Sequence, residues 1–329
     1  MNRRVFVGGL ASATLALPRV ISAQPMRKNS RIGIISLGAT ADLRGPQPRS
    51  PSIKALLLGL GERGYVYGEH FVTEPRGAEG RPERFPALAA ELVRLPVDVI
   101  LAAGPALPAL KQATSTIPII MTATLDAVRQ GFVQSLGRPG GNFTGFSLQS
   151  PETVGKRLEL LKELVPGAAP VGVLWDQPSI LDWHAAEAAA RERGWKLLSL
   201  EIRGTDDIEG AFRVATGARA GALLPSAAGI LFPHAQRLAQ LSIKNRLPAA
   251  YGLREYVDAG GLISYGPEIK DIWRRSSVFV DKILKGARPA DLPVEQPLKF
   301  ELVINLRAAK ALGLTISPSV LSRADEVIQ

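Results

Sequence analysis

Two short apolar runs enclose an alanine-rich segment in residues 97–121, which read Val97-Asp-Val-Ile-Leu-Ala-Ala-Gly-Pro-Ala-Leu-Pro-Ala-Leu-Lys-Gln-Ala-Thr-Ser-Thr-Ile-Pro-Ile-Ile-Met121. The runs at 97–102 and 117–121 have the length and composition of buried β-strands. The alanine-rich segment between them is predicted to be a helix. A strand, a helix and a strand in this order form a βαβ unit, whose strands lie parallel in one sheet.

The same alternation continues on both sides of this unit. Toward the N-terminus, strands are predicted over 31–37 and 71–74 and helices over 52–63 and near Phe85, Leu88, Ala89 and Leu92, which share one helical face. After a break at Arg138-Pro-Gly-Gly-Asn142, strands are predicted over 171–175, 196–200 and 221–224, and helices over 182–193 and from Asp207. Two series divided near Gly141 indicate two similar lobes.

The predicted fold is therefore α/β, with two doubly wound parallel-sheet lobes joined by a hinge around a cleft. Pro/Gly breaks near 265–267 and 289–293 indicate further crossings between the lobes. The first lobe is predicted to comprise 27–145 plus 265–291, and the second 146–264 plus 292–329. Ligands bind at the carboxyl ends of strands in such sheets, where closure of the hinge can bury a small molecule.

The first 23 residues have the three parts of a secretory signal peptide. Arg3 and Arg4 supply the positive start, an uncharged run of 13 residues follows from Val5 to Leu17, and a small-residue cleavage site precedes Gln24. The apolar run is too short to span a bilayer, which needs about 20 apolar residues. We expect a periplasmic protein, exported by the twin-arginine route or by the general secretory route.

Composition excludes several classes of function. There is no cysteine, which excludes disulfides and thiolate sites, and the three histidines are far apart and lack metal-ligand spacing. Three of the 40 basic residues and none of the 30 acidic ones lie in the signal peptide, so the remaining chain carries +7 rather than +10. These charges are scattered, so no nucleic acid is expected as a partner. No metal and no cofactor are expected either.

Catalytic motifs are missing as well. The stretch Gly145-Phe-Ser-Leu-Gln149 fails as a nucleophile elbow at its last position, and Ser150-Pro-Glu-Thr-Val-Gly-Lys-Arg157 lacks the first glycine and the final hydroxyl of a phosphate loop. We therefore expect no enzyme and no catalytic residues. A pair of acids acting in the cleft stays open as an alternative, because acids are abundant.

Longer motifs resemble the ABC-transporter substrate-binding proteins that include the tryptophan- and tyrosine-binding TrpX-like proteins. The resemblance covers nearly the whole chain after the signal peptide. It rests on Gly59-Leu-Gly-Glu-Arg-Gly-Tyr65, Ser135-Leu-Gly-Arg-Pro-Gly-Gly-Asn-Phe-Thr-Gly145, Lys156-Arg-Leu-Glu-Leu-Leu-Lys162, Val280-Asp-Lys-Ile-Leu-Lys-Gly286 and Lys299-Phe-Glu-Leu-Val-Ile-Asn-Leu-Arg307. It implies a type I periplasmic-binding fold, no catalysis, and delivery of a ligand to a membrane permease driven by an ATPase. We expect a monomer.

Ligand contacts are predicted from small and polar residues that follow strands. Asp126 and Asp176 are candidates to neutralise an ammonium group, or else to cap a helix. Trp175 and Tyr251 are candidates to cover the apolar part of a ligand, or else to pack in the core. The full candidate set is Ser36, Gly38, Gly104, Thr122, Thr124, Asp126, Ser147, Trp175, Asp176, Ser226 and Tyr251.

The sequence departs from the family pattern near two of these candidates. Asp126-Ala-Val128 stands where Asp-Pro-Val is usual, and Trp175-Asp-Gln-Pro178 where Trp-Asn-Pro is usual. The resemblance therefore implies a small ligand, an amino acid or related carboxylate, without implying tryptophan. Two alternatives stay open, an exported α/β hydrolase or isomerase acting in the same cleft and a ligand-sensing domain of a membrane receptor.

Overall fold

The first lobe is built on a five-stranded parallel sheet. The computed structural model describes residues 29–148, 151–226 and 229–329, so the predicted signal peptide lies outside the described residues. Strand order is β2-β1-β3-β4-β5, with every pair parallel. In chain order, the elements are β1 (Ser30–Ser36), α1 (Thr40–Leu43), α2 (Pro51–Gly61), β2 (Phe71–Gly77), α3 (Phe85–Val93), β3 (Val99–Ala103), α4 (Ala106–Ala113), β4 (Ile119–Ala123) and β5 (Phe143–Gly145).

Helices cover both faces of this sheet, which explains why its strands are apolar on both sides. On one face, α3 and α4 bury Phe85, Leu88 and Leu107 against the sheet. On the other face, α2 and a helix that arrives late in the chain bury Ile53 and Phe279. The helical face that the sequence predicts around Phe85 is confirmed.

The second lobe holds a sheet of seven strands. Three of them pair in the order β7-β6-β8, four in the order β12-β11-β10-β9, and an isolated bridge from Leu223 to Ala249 joins the two groups. The elements are α5 (Pro151–Leu164), β6 (Val171–Trp175), α6 (Ile180–Glu192), β7 (Leu197–Glu201), α7 (Asp207–Gly217), β8 (Ala222–Pro225), α8 (Ala235–Lys244), β9 (Ala250–Tyr251), α9 (Arg254–Asp258), β10 (Ile263–Pro267), α10 (Ile269–Leu284), β11 (Phe300–Asn305), α11 (Leu306–Ala311), α12 (Pro318–Leu321) and β12 (Glu326–Ile328), of which α10 packs on the first lobe.

Two strands of the second lobe, β11 and β12, run against the others. The pair β10–β11 is antiparallel, whereas the sequence predicts purely parallel sheets. The reason is the route of the chain. After β10 ends at the cleft, the chain forms α10 on the first lobe and returns at the same edge, where the Glu268 N–H donates to the Lys299 carbonyl. A strand that starts at the edge where its neighbour ends must run antiparallel.

The chain crosses between the lobes three times. The first and third crossings pair with each other through a bridge between Phe146 and Glu295. The second lobe's sheet extends to Pro267, and Leu292 and Val294 are buried in the first lobe's cores. The predicted lobe boundaries stay a prediction. Among the described residues, no helix is long and apolar enough to cross a membrane.

Close packing of α2 on α10 depends on Gly59. A Cβ atom at this position would lie 2.3 Å from the Arg274 carbonyl oxygen and 2.6 Å from Ser277 Oγ, whereas a Cβ at Gly61, on the same helix, would meet nothing within 4 Å. The two glycines therefore form a matched pair for mutation.

We expect Gly59→Ala to lower the free energy of unfolding by about 1–3 kcal/mol, because overpacking forces the two helices apart. Gly61→Ala should leave stability unchanged or raise it by up to about 1 kcal/mol, since alanine favours a helix over glycine. Denaturant unfolding of both variants checks this. Equal stability of the two would contradict the packing role of Gly59.

Candidate functional site

A cavity lies between the lobes, at the carboxyl ends of the strands. Both lobes and the first two crossings contribute to its wall, as the predicted position of the ligand site requires. Its lining residues are Leu125, Asp126, Leu148, Thr153, Arg157, Pro178, Ser179, Leu181, Asp182, Gly252, Leu253 and Pro267. Of the eleven predicted ligand residues, Asp126 is part of this wall.

Arg157 is the buried cation of the cavity. It lies on α5, on the same helical face as Val154, Leu158 and Leu161, and is 2% exposed. Its Nε donates to the Thr153 carbonyl at 3.4 Å and its Nη1 to the Pro225 carbonyl at 3.2 Å. Both acceptors are neutral carbonyls, so they offset the charge only in part.

The charge of Arg157 is incompletely balanced. The nearest carboxylate is that of Asp182, whose Oδ2 lies 3.8 Å from Nη2. Burial lowers the pKa of the Arg157 guanidinium from its ordinary value, while Asp182 and Tyr256 act in the opposite direction. A buried guanidinium is costly unless it is paired, and its planar fork fits a carboxylate in two-point contact. The cavity is therefore suited to bind an anionic group.

A hydroxyl network borders Arg157 at the end of β6. The Ser179 N–H donates to Asp176 Oδ1 at 3.0 Å, and the Ser179 hydroxyl donates to the same oxygen at 2.6 Å. Ser179 Oγ also lies 2.9 Å from Ser226 Oγ. Asp176 thus caps the short 3-10 turn over 177–179 and holds Ser179 at the cavity wall. Of the two roles predicted for Asp176, the structure shows the capping one.

Asp126 faces the cavity from the first lobe. Its Oδ1 accepts hydrogen bonds from the N–H groups of Val128 at 3.1 Å and Arg129 at 3.0 Å. The loop beneath is held by the buried Ser147, whose Oγ accepts from the Ala127 N–H at 3.4 Å, and by Thr124, which donates to Gln130.

Four other predicted residues end strands of the first lobe at the cleft edge. The Thr122 hydroxyl is buried and donates to the Ala102 carbonyl at 3.1 Å, so it stabilises the β3–β4 edge. Ser36 Oγ accepts from the Gly38 N–H at 3.3 Å. Gly104, with φ +47°, begins the turn into α4. Their direct contact with a ligand stays a prediction.

The structure packs Trp175 and Tyr251 into the core of the second lobe, so neither ring lines the cavity. Trp175 stacks on Trp183 with centroids 6.1 Å apart, and its Nε1 donates to Ser199 Oγ at 2.8 Å. Tyr251 is 1% exposed and stacks on Tyr256 at 4.9 Å. Burial raises the pKa of Tyr251 to about 12. Both rings pack in the core, which is the alternative to ligand contact that the sequence leaves open.

Residues 49–328 match the family described as ABC transporter substrate binding protein. The chain belongs to this family. Its two lobes have the type I periplasmic-binding fold. Among the described residues, no group of three His, Cys, Asp or Glu side chains is arranged to hold a metal ion.

Similar proteins include other binding proteins. This substrate-binding protein is 25% identical over 265 residues to a tyrosine-binding protein of Clostridioides difficile, covering 79% of this chain and 76% of the relative. An ABC domain from Streptococcus pneumoniae, solved in complex with L-Trp, has a TM-score of 0.79 and 27% identity, with 91% of this chain and 100% of that one covered. A conserved domain protein from Vibrio cholerae has a TM-score of 0.78 and 27% identity over the same shares.

Sequence reasoning missed Arg157, Ser179 and Asp182. Arg157 falls within the motif Lys156-Arg-Leu-Glu-Leu-Leu-Lys162, where it looks like one more charge on an amphipathic helix. The signal was available in its spacing, because Arg157 lies three residues after Val154 and four before Leu161, on the apolar face. An arginine on such a face needs buried acceptors, and here these include the Thr153 and Pro225 carbonyls.

We expect Asp176→Ala to lower the free energy of unfolding by about 1 kcal/mol, because the cap of the 3-10 turn is lost. Asp176→Asn keeps an acceptor oxygen and should retain most of the stability. Asp206 precedes α7 without a side-chain cap bond, so Asp206→Ala serves as the matched control and should change stability by less than about 0.5 kcal/mol. Denaturant unfolding gives all three values. An Asn variant as unstable as the Ala variant would argue against capping.

Proposed function

We propose that this protein is the periplasmic solute-binding component of an ABC importer, and that it holds an amino acid or related small carboxylate between its lobes. The observation that carries the proposal is Arg157, a buried cation on the cavity wall whose nearest carboxylate lies 3.8 Å away. Relatives support it, since one is a tyrosine-binding protein and another was solved with L-Trp.

The two lobes offer complementary groups to a zwitterion. The ligand carboxylate binds Arg157 of the second lobe, beside Thr153 and Ser179 on the cavity wall. The ligand ammonium binds a carboxylate, that of Asp126 on the first lobe or of Asp182 on the second. A ligand held by Arg157 and Asp126 together stabilises the closed form selectively, because the open form cannot make both contacts at once.

In this proposal the protein releases its ligand chemically unaltered, and passes it to a membrane permease driven by an ATPase. The protein acts as a monomer and reaches the periplasm through the predicted signal peptide at 1–23. Ser36, Gly38 and Gly104, at the strand ends of the first lobe, extend the site along the cleft edge.

The role of Arg157 is testable with a charge-free side chain of similar length. We expect Arg157→Met to abolish ligand binding while leaving the free energy of unfolding of the free protein unchanged or higher, because an imperfectly paired buried charge is replaced by an apolar group. The neighbouring Lys156 is half-exposed and pairs with Glu159 at 3.4 Å, so Lys156→Met is the matched control.

The measurement is thermal unfolding of the protein beginning at Gln24, with a panel of amino acids and small carboxylates. A ligand at about 1,000 times its dissociation constant adds roughly 4 kcal/mol to the native state. The midpoint should rise with the wild type and with Lys156→Met, and should not rise with Arg157→Met. A full rise with Arg157→Met would refute the site, and no rise with the wild type would refute the ligand class.

The export prediction has its own measurement. We expect the protein recovered from the periplasm to begin at Gln24, because the small residues Ser22 and Ala23 precede the cut. Mass spectrometry of the intact protein gives its N-terminus. A cytoplasmic protein that still carries residues 1–23 would contradict the prediction.

A further inference from the structure

The apolar part of the cavity wall is aliphatic. Leu125 and Leu148 contribute to it from the first lobe and the first crossing, and Leu181 and Leu253 from the second lobe. Pro178 and Pro267 complete this part of the wall. Among the residues that the structure describes, no aromatic side chain lines the cavity.

The nearby rings are held elsewhere by their own partners. Trp175 and Trp183 stack on each other at an angle of 17°, and Tyr251 and Tyr256 stack at 7°. Both tyrosines and Trp175 are buried in the cores of the second lobe. Bringing one of these rings into the cavity would break a stacked pair and open a void in a packed core, which is unfavourable.

The cavity is also narrow. Its volume in this structure is about 40 Å³. A slim branched side chain requires less room than an indole or phenol ring. An aromatic ligand would also find no ring here to stack against, although stacking is the contact that favours aromatic groups over aliphatic ones of similar area.

We propose that the ligand is an amino acid with an aliphatic side chain, bound through its carboxylate to Arg157 and through its side chain to the leucines of the wall. This inference rests on the proposed function and narrows its ligand class. The proposed ligand class differs from that of two relatives, a tyrosine-binding protein and a protein solved in complex with L-Trp. The difference in ligand class is inferred from the apolar wall, because the charged groups of the cavity could bind either class of amino acid.

The test compares two sets of probes on the protein beginning at Gln24. Calorimetric titration measures the affinities of L-leucine, L-isoleucine and L-valine against those of L-tryptophan, L-tyrosine and L-phenylalanine. We expect at least one aliphatic amino acid to bind about tenfold or more tightly than every aromatic one, the discrimination typical of apolar pockets. Leu181→Ala should weaken aliphatic binding by about tenfold.

Control variants and probes distinguish a failure of the aliphatic inference from a failure of the proposed function. Leu58 is 58% exposed on α2, outside the cavity wall, so Leu58→Ala should bind with wild-type affinity. Leu253→Ala is the second wall variant, and the unfolding midpoint of each variant shows that it is folded. Preference for an aromatic amino acid would overturn the aliphatic inference and leave the proposed function standing. Failure of all six amino acids to bind would also overturn the aliphatic inference, and the proposed function then fails if the panel of small carboxylates does not bind either. Aliphatic binding that survives Arg157→Met would overturn the placement of the ligand carboxylate on Arg157.

Discussion

Three chain crossings at a single edge constrain this protein more than any other feature. Because every crossing lies at the cleft, the carboxyl ends of both sheets face each other there. The same constraint turns β11 antiparallel and sends α10 back to pack on α2. Charged side chains support the crossings, since Arg275 of α10 pairs with Glu295 and lies over the Phe146 ring, 5.0 Å from its centroid. The hinge is therefore a paired structure rather than three separate linkers.

The cleft combines this geometry with a charge that is costly in isolation. Arg157 loses most of its hydration where α5 packs within the second lobe. Two carbonyl oxygens and a carboxylate at 3.8 Å offset only part of the free-energy cost of that desolvation. In the proposed function, an anionic ligand completes the compensation. Because Asp126 lies on the other lobe, a zwitterion in this proposal contacts both lobes, and its binding is coupled to their closure.

Residue type alone does not reveal which polar and aromatic side chains reach a ligand. Trp175 and Tyr251 end strands at the cleft edge, as the sequence predicts, yet their rings turn into stacked pairs within the core. Asp176 ends a strand too, and its carboxylate is used by Ser179. In each case position along the strand is correct, but the direction of the side chain depends on neighbours that are distant in sequence.

The sequence by itself determined the alternating strands and helices, the two lobes and the edge at which they meet. These follow from local apolar periodicity and from the turn residues, which act over a few positions. Only the tertiary structure decided the antiparallel strands and the wall of the cavity. Arg157 shows why, because its role depends on Pro225 and Asp182, which lie 68 and 25 residues further along the chain. Burial and charge compensation arise from contacts between distant segments, and no local pattern encodes them.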